Sequence, residues 1–137
     1  MFRKKKIVEK RTVLFIDDDE IVLQSLKRGL LDESYNKLFT KSCKDALEII
    51  QEAEVHVIIA DMCMPEITGL DFLRVARQEK PDVIGIVLTG YEEDKELQTA
   101  LEQGEIFKLV PKPWKFGVVD FELLIRRAID NYNLQNQ

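Results

Sequence analysis

Four hydrophobic runs in this chain each end on groups able to hold a cation or a phosphoryl group. Val13-Leu14-Phe15-Ile16 runs into Asp17-Asp18, and Val55-His56-Val57-Ile58-Ile59-Ala60 into Asp61. Ile84-Gly85-Ile86-Val87-Leu88 ends in Thr89-Gly90, and Phe107-Lys108-Leu109-Val110-Pro111 in Lys112-Pro113. In an open α/β sheet the carboxyl ends of the strands line the crevice where ligands bind. The carboxylates, hydroxyl and ammonium then share one rim. Carboxylates and water suit magnesium, which couples them to a substrate phosphate. Asp17 and Asp18 are adjacent on an extending chain, so one binds the metal directly and the other through water. Crowded carboxylates raise one another's pKa unless a cation lies among them. Phosphoryl transfer asks a protein mainly for positioning and charge neutralisation. Lys112 and Thr89 suit the equatorial oxygens of the transferred group. Asp61 can serve as the nucleophile and become an acyl phosphate.

Each piece also has a duller reading. An Asp-Asp pair after a strand is often a turn with a helix N-cap. Asp61 and Thr89-Gly90 could be turn residues, and Lys112-Pro113 an exposed turn on an edge. The chemical reading prevails because all four pieces fall at strand ends of one expected sheet.

The elements that must position these groups alternate strand and helix five times. The first strand is expected over Thr12–Asp17. Glu20–Leu31 follows as a helix with Val22, Leu26, Gly29 and Leu30 at helical spacing. Asn36–Lys41 is a more polar strand, which suits a sheet edge. Ser42-x-x-Asp45 and Thr68-x-x-Asp71 resemble capping boxes that open the second and third helices. Ala46, Leu47 and Ile50 lie on one face of the second. Leu70, Leu73, Ala76 and Arg77 mark the third, which stops before Pro81. Val83–Leu88 is the fourth strand. The fourth helix is expected over Glu92–Gln103, with Glu92, Glu93 and Asp94 at its electropositive start and Leu97, Ala100 and Leu101 behind. Pro111 lacks an N–H for a ladder and assigns the fifth strand to an edge. Val118, Phe121, Leu124, Ile125, Ala128, Ile129 and Tyr132 form a long amphipathic series for the last helix. Helices between strands imply parallel pairing through right-handed crossovers. The fold class is α/β: a single doubly wound, flavodoxin-like (βα)5 domain with sheet order 2-1-3-4-5. Its switch point, between the first and third strands, is where Asp17, Asp18 and Asp61 converge.

A chain of 137 residues fits one domain with a core large enough to fold unaided. The net charge of -5 disfavours bulk nucleic-acid binding. Arg3, Lys4, Lys5, Lys6, Lys10 and Arg11 face only Glu9, which reads as a solvated basic lead-in over residues 1–10. No apolar run approaches the roughly 20 residues of a membrane span, and no secretory h-region follows the basic start. Cys43 and Cys63 do not make a disulfide framework, so a reducing cytoplasm is the expected location. His56 and the methionines Met62 and Met64 read as structural.

Taken together, Val13-Leu14-Phe15-Ile16-Asp17-Asp18-Asp19, Ile58-Ile59-Ala60-Asp61-Met62-Cys63-Met64-Pro65 with Gly69, Ile86-Val87-Leu88-Thr89-Gly90 and Val110-Pro111-Lys112-Pro113 resemble the receiver domain of two-component response regulators. The resemblance covers nearly the whole chain and sets the domain at residues 11–134. It implies that Asp61 is the phosphoacceptor. Asp17 and Asp18 resemble the acidic pair, with Asp18 a direct magnesium (or manganese) ligand and the Cys63 backbone carbonyl another. Thr89 and Lys112 resemble the residues that hold the phosphoryl group, and Lys112-Pro113 the family's cis peptide. The implied partners are a histidine kinase or a histidine phosphotransfer protein. The implied output surface is the fourth helix, fifth strand and fifth helix, open to an output domain, a partner protein or a homodimer. Four departures or variable positions stand out. Leu109 replaces the usual aromatic three residues before the lysine, with Phe107 expected on the same face two positions earlier. Cys63 and Tyr91 border the phosphoryl group and bear on its lifetime. Trp114 after Pro113 resembles receivers joined to cyclic-dinucleotide phosphodiesterase domains of the HD type.

Two other classes use similar residues. A haloacid-dehalogenase-like phosphohydrolase would use Asp17 as nucleophile, but it needs Asp-x-Asp-x-Thr, and Asp17-Asp18-Asp19-Glu20-Ile21 lacks the threonine. A phosphate-insensitive docking domain would keep the fold without needing the acidic trio and Lys112.

Overall fold

The computed structural model describes residues 10–90, 94–112 and 121–137. Along them run β1 (Thr12–Ile16), α1 (Glu20–Gly29), β2 (Asn36–Thr40), α2 (Cys43–Glu52), β3 (Val57–Asp61), α3 (Gly69–Glu79), β4 (Ile84–Thr89), α4 (Lys95–Glu102), β5 (Lys108–Pro111) and α5 (Phe121–Gln135). Every strand pair is parallel, and the sheet order is β2-β1-β3-β4-β5. Residues 1–9 of the basic lead-in, and Tyr91, Glu92, Glu93, Pro113, Trp114 and Val118, lie outside the described residues.

Burial follows strand position. β1, β3 and β4 are buried along their whole length, as strands covered on both faces must be. β2 and β5 are only partly buried, and both are edges. One core, on the α2, α3 and α4 side, gathers Leu14, Ile58, Leu70, Leu73, Val87 and Leu97. The other, under α1 and α5, gathers Phe15, Leu26, Ile59, Ile86, Phe121 and Ile125. Alternate residues of each central strand thus feed opposite cores.

Side-chain caps fix where four helices begin. Ser42 accepts from Asp45 N at 3.2 Å, Thr68 from Asp71 N at 3.1 Å and Asp94 from Leu97 N at 3.0 Å. Each such cap contributes about 1 kcal/mol. In α1 the cap is Asp19, whose carboxylate accepts from Ile21 N at 2.9 Å. The capping role open to an Asp after β1 therefore falls to the third aspartate, leaving Asp17 and Asp18 to the rim.

Some boundaries and faces differ from expectation. α1 buries Leu23 and Leu26, and Leu30 at its C-cap is buried too, while Val22 is only half-buried. Leu26 and Leu30 are buried as expected, and Leu23 joins them beside Val22, which packs against the same core. The described part of α4 starts at Lys95 behind the Asp94 cap. Leu109 packs against the core shared by α4, whereas Phe107 packs against the one under α5. Phe107 lies just before β5, where strict alternation no longer applies, so the two side chains do not share a face. His56 is buried, and its Nδ1 accepts the Thr12 N–H at 2.9 Å, joining the starts of β1 and β3. That bond makes it a structural residue.

Candidate functional site

The strand ends deliver their polar groups to one place. Asp17, at the end of β1, is 1% exposed, Asp61, closing β3, is 7% exposed, and Thr89, closing β4, is 1% exposed. Asp18 stands at the mouth, exposed. Asp17, Asp18 and Asp61 can each offer a carboxylate oxygen such that all three lie within 4.8 Å of one another. Lys112, just after β5, crosses the gap: its Nζ is 3.0 Å from Asp17 Oδ2 and 3.1 Å from Asp61 Oδ1. One ammonium thus spans the two buried carboxylates and anchors the strand neighbouring β4 to both.

Backbone bonds hold the frame. Asp17 Oδ1 accepts the Asp19 N–H at 2.9 Å, which turns the chain out of β1 and aims Asp17 inward. Lys112 N donates to the Thr89 carbonyl at 2.9 Å, so the residue after β5 is tied to the end of β4. Met62 N donates to the Leu88 carbonyl at 2.8 Å, and Gly69 N to the Met62 carbonyl at 3.0 Å. Asp61 Oδ1 also lies 3.4 Å from the Cys63 amide nitrogen, a long contact. Gly69 carries a constraint beyond its place in the motif. A Cβ there would come 2.5 Å from the Asp61 carbonyl oxygen. The first turn of α3 therefore rests directly on the backbone of Asp61, and only glycine permits that approach.

The electrostatics are those of a site short of positive charge. Burial pushes the Asp17 carboxyl above its ordinary range; the Asp19 N–H and Lys112 oppose this, and the charge of Asp61 adds to it. Burial acts against the charge of Lys112, yet its hydrogen bond to Asp17 and the nearby carboxylates outweigh this and raise it. Among the described residues, three carboxylates against one ammonium leave room for a further cation. The donor set is all oxygen, the chemistry that magnesium prefers, so these residues fit that ion.

The structure brings Asp17, Asp18, Asp61 and Lys112 together, with Thr89 buried at the adjacent strand end. Cys63 is exposed at the start of the β3–α3 loop, and Leu109 is half-buried on the α4 side of β5. Tyr91 and Pro113 lie outside the described residues. Cys43 and Cys63 are both free thiols; Cys43 Sγ lies 3.8 Å from Met64 Sδ.

A doubly wound domain with carboxylates gathered at its switch point beside a lysine after the last strand can seat a divalent cation next to an anionic group. The sequence model of the response regulator receiver domain matches residues 13–120. The chain belongs to the response regulator receiver domain family. It is 30% identical over 128 residues to the hydrogenase transcriptional regulatory protein HoxA of Cupriavidus necator, covering 93% of this chain and 26% of that protein. The chain thus spans about a quarter of the length of that relative. Among solved structures it resembles the signal receiver domain of an HD domain-containing protein from Pseudomonas fluorescens Pf-5, with a TM-score of 0.87, 25% identity and 98% of each chain covered. It also resembles the beryllofluoride-activated NtrC4 receiver domain dimer, with a TM-score of 0.78 and 31% identity, covering 88% of this chain and 98% of that one.

Proposed function

We propose that this chain is a phosphorylation switch in which Asp61 is the phosphoacceptor. The observation that supports this most directly is the convergence of Asp17, Asp18 and Asp61 within 4.8 Å beside the Lys112 ammonium. A carboxylate oxygen of Asp61 attacks the phosphorus of a phosphohistidine presented by a histidine kinase or phosphotransfer protein. The new O–P bond forms as the P–N bond breaks, and the electron pair stays on the imidazole nitrogen. Lys112 moves from its carboxylate partners to a phosphoryl oxygen, and the Thr89 hydroxyl takes another. Magnesium (or manganese), held by Asp17, Asp18, Asp61 and the Cys63 carbonyl, supplies charge neutralisation when bound. The chain catalyses no reaction beyond its own phosphorylation and dephosphorylation.

The domain occupies residues 11–134, with residues 1–10 as a basic lead-in. Its output face is α4, β5 and α5, read by an output domain, a partner protein or a second copy. The NtrC4 receiver, solved as a dimer, supports the last of these. No helix among the described residues is long and apolar enough to cross a membrane, and a cytoplasmic setting fits the proposed kinase partner. The phosphohydrolase reading is not favoured: Ile21, where that class needs threonine, is an apolar side chain 75% exposed to solvent. A phosphate-insensitive docking domain has no use for the buried, ion-paired cluster.

The test is incubation with acetyl phosphate, followed by intact mass, with magnesium or with chelator. One added phosphoryl group is expected with the metal and none without it. Asp18→Ala should weaken magnesium binding by at least about tenfold, the loss seen even when a group merely orients a ligand. Equal labelling with and without metal contradicts the reading.

A further inference from the structure

α4 is the shortest helix among the described residues and buries only Leu97 and Ala100. α3 beside it buries Gly69, Leu70, Phe72, Leu73 and Ala76. One side chain of the well-anchored helix reaches both ends of the weakly anchored one. Arg74 Nη1 donates to Glu96 Oε1 in the first turn of α4 at 2.9 Å. Arg74 Nε donates to Glu105 Oε2 at 2.9 Å, and Nη2 to Glu105 Oε1 at 3.2 Å, in the turn between α4 and β5. The Glu105 pair is a two-pronged fork, the geometry in which arginine and carboxylate match best. A further contact, Nη1 to Asp71 Oδ1 at 3.3 Å, stays within α3 and does not reach α4.

α4 is also the helix that follows Thr89 in the chain. Four residues separate Thr89, at the end of β4, from Asp94, the cap of α4, and the Thr89 carbonyl holds Lys112 N beyond β5. A pull on Thr89 toward a phosphoryl group on Asp61 therefore acts on the chain entering α4. We propose that Arg74 is an electrostatic clasp that fixes the resting position of α4 through Glu96 and Glu105, and so biases the switch against its phosphorylated state. This rests on the reading of Asp61 as phosphoacceptor. An interaction present in only one of two states shifts their equilibrium by its own free energy, and the affinity for whatever selects the other state shifts in proportion.

The clasp is exposed, with the Arg74 side chain 41% accessible, so it must weaken with salt. The experiment compares wild type, Arg74→Gln, Glu96→Gln and Asp71→Asn by amide hydrogen exchange without ligand and by NMR titration with beryllofluoride and magnesium. In Arg74→Gln and Glu96→Gln, α4 amides should exchange roughly three- to fivefold faster, as expected for the loss of an exposed ion-pair network. Beryllofluoride should bind tighter by a similar factor. Asp71→Asn, which spares the tether to α4, should match wild type. Raising salt from about 0.05 to about 0.5 M should move wild type toward Arg74→Gln, because the screening length then falls well below 10 Å. Equal α4 exchange and equal beryllofluoride affinity in all four proteins overturn the clasp. If wild type itself takes up no beryllofluoride, the reading of Asp61 fails, while α4 exchange in the free protein still decides whether Arg74 restrains the helix.

Discussion

Replacing Gly69 with alanine tests how tightly the first turn of α3 holds Asp61. A Cβ at this position would lie 2.5 Å from the Asp61 carbonyl oxygen, 2.9 Å from its carbonyl carbon and 3.2 Å from Met62 Cα. Carbon-to-oxygen contacts in proteins settle near ~3.3 Å, so the two segments must part by roughly 0.8 Å. Neither can yield at a flexible tip, because both are backbone. Asp61 is fixed in register with Leu88, and Met62 N is bonded to the Leu88 carbonyl. Such overpacking costs about 1–3 kcal/mol. Glycine to alanine inside a helix otherwise gains up to about 1 kcal/mol. The net loss should be about 1–2 kcal/mol, or roughly 3–10 °C in Tm for a domain of this size. A displacement of about 1 Å at a reacting group costs on the order of 100-fold, so a smaller one shared by two segments should slow phosphorylation by about tenfold. Thermal melts and the rate of labelling by acetyl phosphate measure both effects on the same protein. A variant that melts at or above wild type and is labelled at the wild-type rate refutes the close-contact argument.

Other substitutions probe separate parts of the molecule. Among the described residues the buried Tyr35 hydroxyl has no hydrogen-bond partner. Tyr35→Phe should therefore be neutral to about 1 kcal/mol stabilising in urea unfolding; a clear loss of stability would show that the hydroxyl is satisfied. Asp17, buried and raised above the ordinary carboxylate value, binds its proton more tightly folded than unfolded. Its contribution to stability is thus fully present below the unfolded pKa and is lost as pH rises through the folded one. Asp17→Asn should accordingly stabilise the metal-free domain relative to wild type at neutral pH, by a margin that shrinks as pH falls below the ordinary carboxylate range. A margin independent of pH is the contrary result. Leu109, half-buried against the core on the α4 side, offers neither a ring nor a hydroxyl to fill the space Thr89 leaves on moving toward a phosphoryl group. Leu109→Tyr should enlarge the amide shifts that beryllofluoride induces across α4, β5 and α5; no enlargement over wild type means the size of residue 109 does not limit the response.

Most of the rim could be read from the sequence because strand ends are marked twice. An apolar run ends, and a polar group begins; that locates Asp17, Asp61, Thr89 and Lys112 to within a residue. Edge strands were legible from the polar β2 and from Pro111. The caps at Ser42 and Thr68 were legible because the spacing of acceptor and amide is local. What the sequence hid depends on phase or on distance. Val22 and Leu23 are neighbours in the chain but point about 100° apart on a helix, and only packing selects Leu23. Three consecutive aspartates do not reveal that Asp19 is the cap. Phe107 and Leu109 take opposite cores because the ladder begins between them. Gly69 was visible as part of a motif, but its contact with the Asp61 carbonyl depends on the path of the β3–α3 loop. The Arg74 contacts to Glu96 and Glu105 span 22 and 31 residues, and a charged residue on an exposed helix face carries no mark of such partners.

The most direct measurement is to locate the phosphoryl group. Wild type, Asp61→Asn and Asp17→Asn are incubated with acetyl phosphate and magnesium, the acyl phosphate is trapped chemically, and the modified peptide is sequenced by mass spectrometry. The expected result is a single label on Asp61 in wild type, labile to hydroxylamine and absent from Asp61→Asn. In Asp17→Asn the label remains on Asp61 and accumulates more slowly. Label that persists in Asp61→Asn and maps to Asp17 would contradict the assignment and point to phosphohydrolase chemistry at the end of β1.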